Sequence, residues 1–207
     1  MTADGTVFIV DDEETVRRAL SRLVRSVGLT AETFPTAQAF LDRDRVDRPA
    51  CLVLDVRLPG LSGLDLQTAL GGRQETLPII FITGRGSIPM SVRAMKGGAL
   101  DFLRKPVESQ ELLDAIQRAL ARSREALDRQ VERDTLAARL ATLTLREREV
   151  LELVVAGMLN KQIAAELGAA EKTIKVHRGR VMKKMEADSV PDLVRMTQKA
   201  GFGAAAS

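Results

Sequence analysis

Five short apolar runs in the first 120 residues alternate with stretches of helical periodicity, and this alternation constrains the fold more than any other feature of the chain. The runs are "TVFIV", "LTAETF", "CLVLD", "LPIIFIT" and "ALDFLRK". After the first, Val16, Leu20, Leu23, Val24 and Val27 recur at helical spacing. "TAQAFLD" opens on Thr36, a residue suited to a helix cap, and "GLDLQTAL" and "IPMSVRAMKGG" read as further helices, the last stopped by two glycines. Pro106 then precedes a long helical stretch. Strand and helix in strict alternation imply a parallel five-stranded sheet joined by right-handed crossovers. The runs with the most continuous apolar character belong at its centre, buried on both faces.

The stretch "VFIVDDEETV" then poses a problem, because four apolar residues run straight into Asp11, Asp12, Glu13 and Glu14. In open parallel sheets, sites lie beyond the carboxyl ends of the strands. Asp11 and Asp12 follow the first run, Asp55 ends "LVLD", Thr83 ends "IIFIT" and Lys105 ends "LDFLRK". The fold therefore brings three carboxylates, a hydroxyl and an ammonium to one edge. Singly, each has a bland explanation: Asp11 or Asp12 can cap the first helix, and Thr83 can cap a turn. Together they suit a hard cation. Carboxylates with open positions favour Mg²⁺, which keeps waters and binds phosphate oxygens. The chemistry such a group supports is attack by a carboxylate on a phosphoryl group, giving an aspartyl phosphate.

On the pair in "IVDDEE", Asp55 in "LVLDVRLPGLSGLDL", Thr83 in "FITGRG" and Lys105-Pro106 in "DFLRKPV", residues 5–122 resemble the receiver domain of two-component response regulators. The resemblance implies a flavodoxin-like, doubly wound fold with Asp55 as phosphoacceptor. It implies Mg²⁺ held by Asp11, Asp12, Asp55 and the backbone carbonyl of Arg57, with Asp11 acting mostly through a bound water. Thr83 would bind the phosphoryl group and Lys105 would pair with it. Lys105-Pro106 would be a cis bond, and Phe102 would be the switch aromatic. Arg57 and Arg85 flank the site and could restrict an attacking water.

Residues 108–143 contain neither Gly nor Pro and read as one long helix, broken at most once, with residues 123–139 as a linker between domains. Beyond it the pattern is all helical. "LTLREREVLELVVAGM" carries Thr144 and Glu147 at capping-box spacing, Gly157 and Gly168 end the next two helices, and "AAEKTIKVHRGRVMKKM" and "SVPDLVRMTQKA" follow. Two short helices with a Gly-containing turn, the second basic, suggest helix-turn-helix recognition. Between Lys172 and Lys184 stand six basic residues and no acid. At 100° per residue, Lys172, Lys175, Arg180, Lys183 and Lys184 share one arc, with Val176 among them and Gly179 facing the same way. Ile174, Val181, Met182 and Met185 fall mostly opposite. Arg178 points nearer the apolar side, either toward an internal salt bridge or toward DNA.

Residues 140–201, through "LTLREREVLELVVAGMLNKQIAAELG" and "KTIKVHRGRVMKKM", resemble the LuxR/FixJ-type DNA-binding domain. That resemblance implies a four-helix domain with base-reading positions at Lys175 and Val176. Further DNA contacts would come from Lys161, Lys172, Thr173, His177, Arg180, Lys183 and Lys184. Gly179 departs from members with a longer side chain there, so a target sequence does not transfer.

Composition adds limits. The single cysteine, Cys51, excludes a disulfide within the chain, and no apolar run approaches membrane-spanning length. The N-terminus lacks the basic start of a secretory signal, which fits a cytoplasmic location. Residues 1–122 carry 16 basic and 16 acidic side chains, so the whole net charge of +3 arises in the C-terminal part. The combined expectation is a phosphorylation-controlled DNA-binding regulator, not an enzyme. Its partners would be double-stranded DNA, a sensor histidine kinase and the transcription machinery, and it would form a homodimer on phosphorylation. One alternative is an aspartyl-phosphate-forming phosphatase or phosphotransferase, although Arg57 stands where such enzymes usually carry a second acid. Another is a receiver joined to a protein- or RNA-binding helical output.

Overall fold

The computed structural model describes residues 5–44, 47–84 and 88–202. The chain divides into two compact units, 1–128 and 129–207.

In the N-terminal unit five parallel strands alternate with helices. In order these are β1 (Thr6–Val10), α1 (Glu14–Ser26), β2 (Thr30–Phe34), α2 (Ala37–Leu41), β3 (Ala50–Asp55), α3 (Gly63–Leu70), a 3₁₀ turn (Gly71–Glu75), β4 (Ile79–Thr83), α4 (Ile88–Lys96), β5 (Asp101–Arg104) and α5 (Ser109–Ala141). The sheet order is β2-β1-β3-β4-β5. The three most apolar strands, β1, β3 and β4, lie inside and are buried along their whole length. Edge strand β2 buries only Ala31 fully instead. Alternate side chains feed two cores: Phe8, Leu52, Leu54, Ile79 and Phe81 on one face, and Val7, Ile9, Val53, Ile80 and Ile82 on the other. Val27, expected on the buried face of α1, sits past its end at 44% exposure. Helix α5 is a single run of 33 residues without a break.

Register sets the functional edge. Val10 pairs with Leu54, Asp55 with Ile82, and Thr83 with Arg104, so Asp11, Asp55, Thr83 and Lys105 end at nearly one level. Two details hold that edge and the opposite end. Buried Ser123 of α5 accepts from the N–H of Ala50 at 3.0 Å and donates to the carbonyl of Thr76 at 2.5 Å. Gly63, at the start of α3, lies so close beneath β3 that a Cβ there would stand 2.2 Å from the Asp55 carbonyl oxygen.

The C-terminal unit contains α6 (Leu145–Val155), α7 (Asn160–Glu166), α8 (Glu171–Met185) and α9 (Val190–Lys199). Its core joins Val150, Leu151 and Val154 of α6 to Ile163, Ile174, Val181, Met185 and Leu193. The capping box at Thr144 and Glu147 is formed in both directions. Gly157 and Gly168 take positive φ where helices end.

The Gly63 contact yields a prediction. Gly63→Ala should destabilise the N-terminal unit by about 1–3 kcal/mol, because backbone must move to admit one methyl group. Urea unfolding followed by circular dichroism measures this. An unchanged midpoint would show that the α3–β3 approach tolerates a side chain.

Candidate functional site

At the carboxyl edge of the sheet, the Lys105 ammonium lies between two strands' carboxylates. Its Nζ is 2.6 Å from Asp11 Oδ2, 2.7 Å from Asp55 Oδ2 and 3.6 Å from Glu13 Oε1. The second oxygen of each buried aspartate meets backbone. Asp11 Oδ1 accepts from the N–H of Glu13 at 2.9 Å, and Asp55 Oδ1 from the N–H of Arg57 at 3.0 Å. Arg57 itself is exposed. Lys105 donates its own N–H to the Thr83 carbonyl at 2.8 Å, which aligns the ends of β4 and β5. Lys105-Pro106 is cis. Thr83 is 1% exposed. Phe102 is half-buried, its ring centroid 6.2 Å from that of Phe81. Arg85 lies outside the described residues.

Burial pushes the Asp11 carboxyl above its usual range, against the opposing pull of Lys105 and the Glu13 amide. Burial acts to lower the Lys105 ammonium, but its bonds to Asp11 and Asp55 outweigh that and raise it. One cation thus serves a region where Asp11, Asp12 and Asp55 bring carboxylate oxygens within 4.8 Å of one another. Exposed Asp12 has no part in the Lys105 bridge and stands open to water. The donor set is all oxygen, more negative than its one ammonium balances, and open on one side. It fits a divalent cation. Sequence reasoning did not anticipate Arg17, whose guanidinium donates to the carbonyls of Asp11 at 2.7 Å and Asp12 at 2.9 Å and braces the acidic loop from α1.

The second candidate surface lies on α8. Lys172, Thr173, Lys175, Arg180 and Lys183 are exposed there, as is Lys161 on α7. Val176 is 48% exposed and Gly179 faces open space. Three positions behave differently. Lys184, placed on the basic arc by its angle, turns into the domain: its Nζ lies 2.5 Å from buried Glu147 and 2.9 Å from the Thr142 carbonyl. Arg178 is internal, donating to Asn160 Oδ1 at 2.8 Å, a hydrogen bond rather than a salt bridge. His177 is half-buried, and its Nδ1 has no hydrogen-bond partner among the described residues. Glu147 therefore serves two roles, closing the cap of α6 and anchoring α8. The bond from Lys184, helped by the Thr144 amide, pulls its carboxyl down to about 2. Only the cap was visible from sequence spacing.

Among the described residues no helix is long and apolar enough to cross a membrane. Comparison with known proteins gives two family matches. The response regulator receiver domain matches residues 7–117, and the bacterial regulatory proteins of the luxR family match residues 141–197. Nodulation protein W of Bradyrhizobium diazoefficiens is 53% identical over 96% of this chain and 87% of its own length. The transcriptional regulatory protein FixJ of Rhizobium meliloti is 44% identical over 97% and 98%. Among solved structures, the response regulator StyR is similar at a TM-score of 0.84 with 48% identity, covering 95% of this chain and 100% of that one.

The Glu147–Lys184 pair predicts a pH dependence. A carboxyl lowered from 4.5 to about 2 contributes stability that is complete above pH 4.5 and disappears as pH falls toward 2. Glu147→Gln should cost about 1–3 kcal/mol at neutral pH by leaving Lys184 without its charged partner. The gap between the two proteins in thermal unfolding should narrow as pH falls through that window. A gap that stayed constant would refute the pairing.

Proposed function

Because the chain belongs to the response regulators that join a receiver domain to a LuxR-type helix-turn-helix domain, we propose that it is a transcription factor switched by phosphoryl transfer to Asp55. The observation that carries this reading is the Lys105 ammonium held between Asp11 and Asp55, with Asp12 beside them. In this reading the receiver covers residues 5–122, the linker 123–139 and the DNA-binding domain 140–201. The protein is a regulator, and the phosphoryl transfer modifies the protein itself rather than turning over a substrate.

Asp11, Asp12, Asp55 and the carbonyl of Arg57 would hold Mg²⁺. When bound, the ion would neutralise charge on the transferring phosphoryl oxygens. The remaining work falls to the chain. A carboxylate oxygen of Asp55 forms the new bond to phosphorus while the donor's leaving group departs with its bonding electrons. The Lys105 ammonium, already against Asp55, pairs with the incoming phosphoryl oxygens. Thr83, one residue beyond the partner of Asp55 in the β3–β4 register, supplies a hydroxyl to the same group. A sensor histidine kinase is the proposed donor.

The outcome would be relayed through Phe102 and the face of α4, β5 and α5. Ile88, Val92 and Met95 of α4 are exposed there, an apolar set suited to a homodimer contact. A dimer presents two α8 helices to adjacent half-sites on double-stranded DNA. A differential free energy of a few kcal/mol is enough to shift such populations strongly. Lys175 and Val176 are assigned to base edges. Lys161, Lys172, Thr173, Arg180 and Lys183 are assigned mainly to phosphates, with His177 beside them. Lys184, committed to Glu147, leaves that set. Bound to promoter sites, the protein would act on the transcription machinery.

Two measurements test this. Asp55→Asn should abolish labelling by an acyl-phosphate donor and the donor-dependent gain in a gel shift, while the fold is retained. Full labelling of that variant would remove Asp55 from its role. In a salt series, Lys183→Ala should weaken every duplex and lower the salt slope by about one unit. Lys175→Ala should cost about 1–3 kcal/mol on the preferred site with little loss on random DNA. Equal weakening of both duplexes by Lys175→Ala would overturn its base-reading assignment.

A further inference from the structure

Helix α1 and edge strand β2 enclose a groove of about 310 Å³ that the phosphorylation chemistry does not use. Four arginines line it, Arg17, Arg18, Arg22 and Arg25, together with Ser21 and Thr33. The one carboxylate in the lining, Glu14, pairs with Arg18 at 2.6 Å. The other three arginines have no carboxylate partner among the described residues. Arg17 donates to the carbonyls of Asp11 and Asp12, and Arg25 donates to that of Ala31 at 3.2 Å. Arg22 meets no hydrogen-bonding or ion-pair partner among the described residues.

Arg22 and Arg25 thus bring two positive charges without a carboxylate partner among the described residues to one concavity, which is unfavourable in the free protein. Arg22 and Arg25 stand three residues apart on one helix face, where like charges repel, and Arg18, paired with Glu14, lies four residues before Arg22 on the same face. Their charge is local, since residues 1–122 carry 16 basic and 16 acidic side chains. Guanidinium groups suit phosphate oxygens because their planar fork presents paired donors. The hydroxyls of Ser21 and Thr33 add neutral donors at the wall. A volume near 300 Å³ lies at the small end of ligand sites and accommodates a chain of two or three phosphoryl groups. A concave site of that size is poorly shaped for the long flat contact that a nucleic-acid backbone makes.

We propose that the α1–β2 groove is a binding site for a linear oligophosphate, either free or as the polyphosphate of a nucleotide. The groove lies on α1 and is separate from the carboxylates of the acid cluster, so binding requires neither Asp55 nor a divalent cation.

Isothermal titration calorimetry on the full chain, at low salt and without Mg²⁺, tests it with inorganic tripolyphosphate and with ATP. Saturable one-site binding is expected. Arg22→Ala with Arg25→Ala should weaken it roughly tenfold or more, and Arg22→Glu, at an exposed position that leaves the core untouched, should do the same. Asp55→Asn and the pair Lys175→Ala with Lys183→Ala should bind as the unaltered chain does. Equal affinity for the two probes assigns the site to the phosphate chain alone, and tighter binding of ATP assigns it to a nucleotide. Absence of binding at millimolar probe would overturn the proposal, as would affinity unchanged by the α1 variants or abolished by the α8 variants. Kinase-dependent phosphorylation slowed by Arg22→Glu without any oligophosphate binding would instead make the groove a dock for an acidic protein surface, and would also overturn it. Failure of Asp55 to accept phosphate, by contrast, would sink the functional reading and leave these titrations unaffected.

Discussion

Carboxylates within 4.8 Å of one another repel by on the order of 3–4 kcal/mol per pair at an effective dielectric near 20. At the edge of this sheet the Lys105 ammonium offsets that repulsion by touching two of the three, Asp11 and Asp55. Those aspartates end β1 and β3, neighbours in the sheet, while Lys105 arrives from β5 across β4. The ion pair therefore joins the outermost crossover to the centre of the fold. It also makes Lys105 responsive, because any new charge on Asp55 changes the balance that holds the end of β5. The same strand carries Phe102, three residues earlier and only half-buried. In the proposed reading, a charge event at Asp55 and a packing change at Phe102 would be linked through this one short segment.

The rest of the edge is arranged to keep Asp55 in place. Its side chain is held by Lys105 and by the Arg57 amide, and its carbonyl is approached from below by Gly63. Both of its carboxylate oxygens thus have fixed partners while one side of the cluster, at Asp12, stays open to solvent. Proteins accept such crowding where chemistry needs it. The acidic loop is braced in turn by Arg17, so the cluster is stiff in its backbone even though its charges oppose one another.

Much of this was legible in the chain. The strands were visible as apolar runs, and their order of burial followed from how continuous those runs are. The acid edge followed from the rule that parallel strands place their carboxyl ends together. The capping box at Thr144 and Glu147 was visible because its two residues are three apart. Bonds from helix side chains to backbone on other elements and loops were not. Ser123 bonds across to Ala50 and Thr76, and Arg17 reaches back to Asp11, but a serine or an arginine on an amphipathic helix carries no mark of its partner. Val27 fitted the helical spacing of α1 and failed because the helix ended before it, at Ser26. Periodicity reads faces well and ends poorly.

The basic arc of α8 shows the same limit with a functional consequence. Burial of Ile174, Val181 and Met185 fixes the rotation of that helix, and the rotation decides which cations face outward. Spacing alone places Lys184 with them. A lysine, however, reaches several ångströms from its Cα, far enough to fold back over the edge of the helix. Buried Glu147 supplies the reason to do so, since an acid with no cation beside it would be costly in that position. Arg178 is drawn in likewise, by Asn160 at the start of α7. Helix α8 is therefore tied to α6 and to α7 by two cations that spacing alone would offer to a partner. What remains outward is a narrower set, Lys172, Lys175, Arg180 and Lys183, around exposed Val176 and the open backbone at Gly179. In the proposed function such a strip, with one apolar side chain and one bare stretch of backbone flanked by cations, would read base edges at its centre and grip phosphates at its rim.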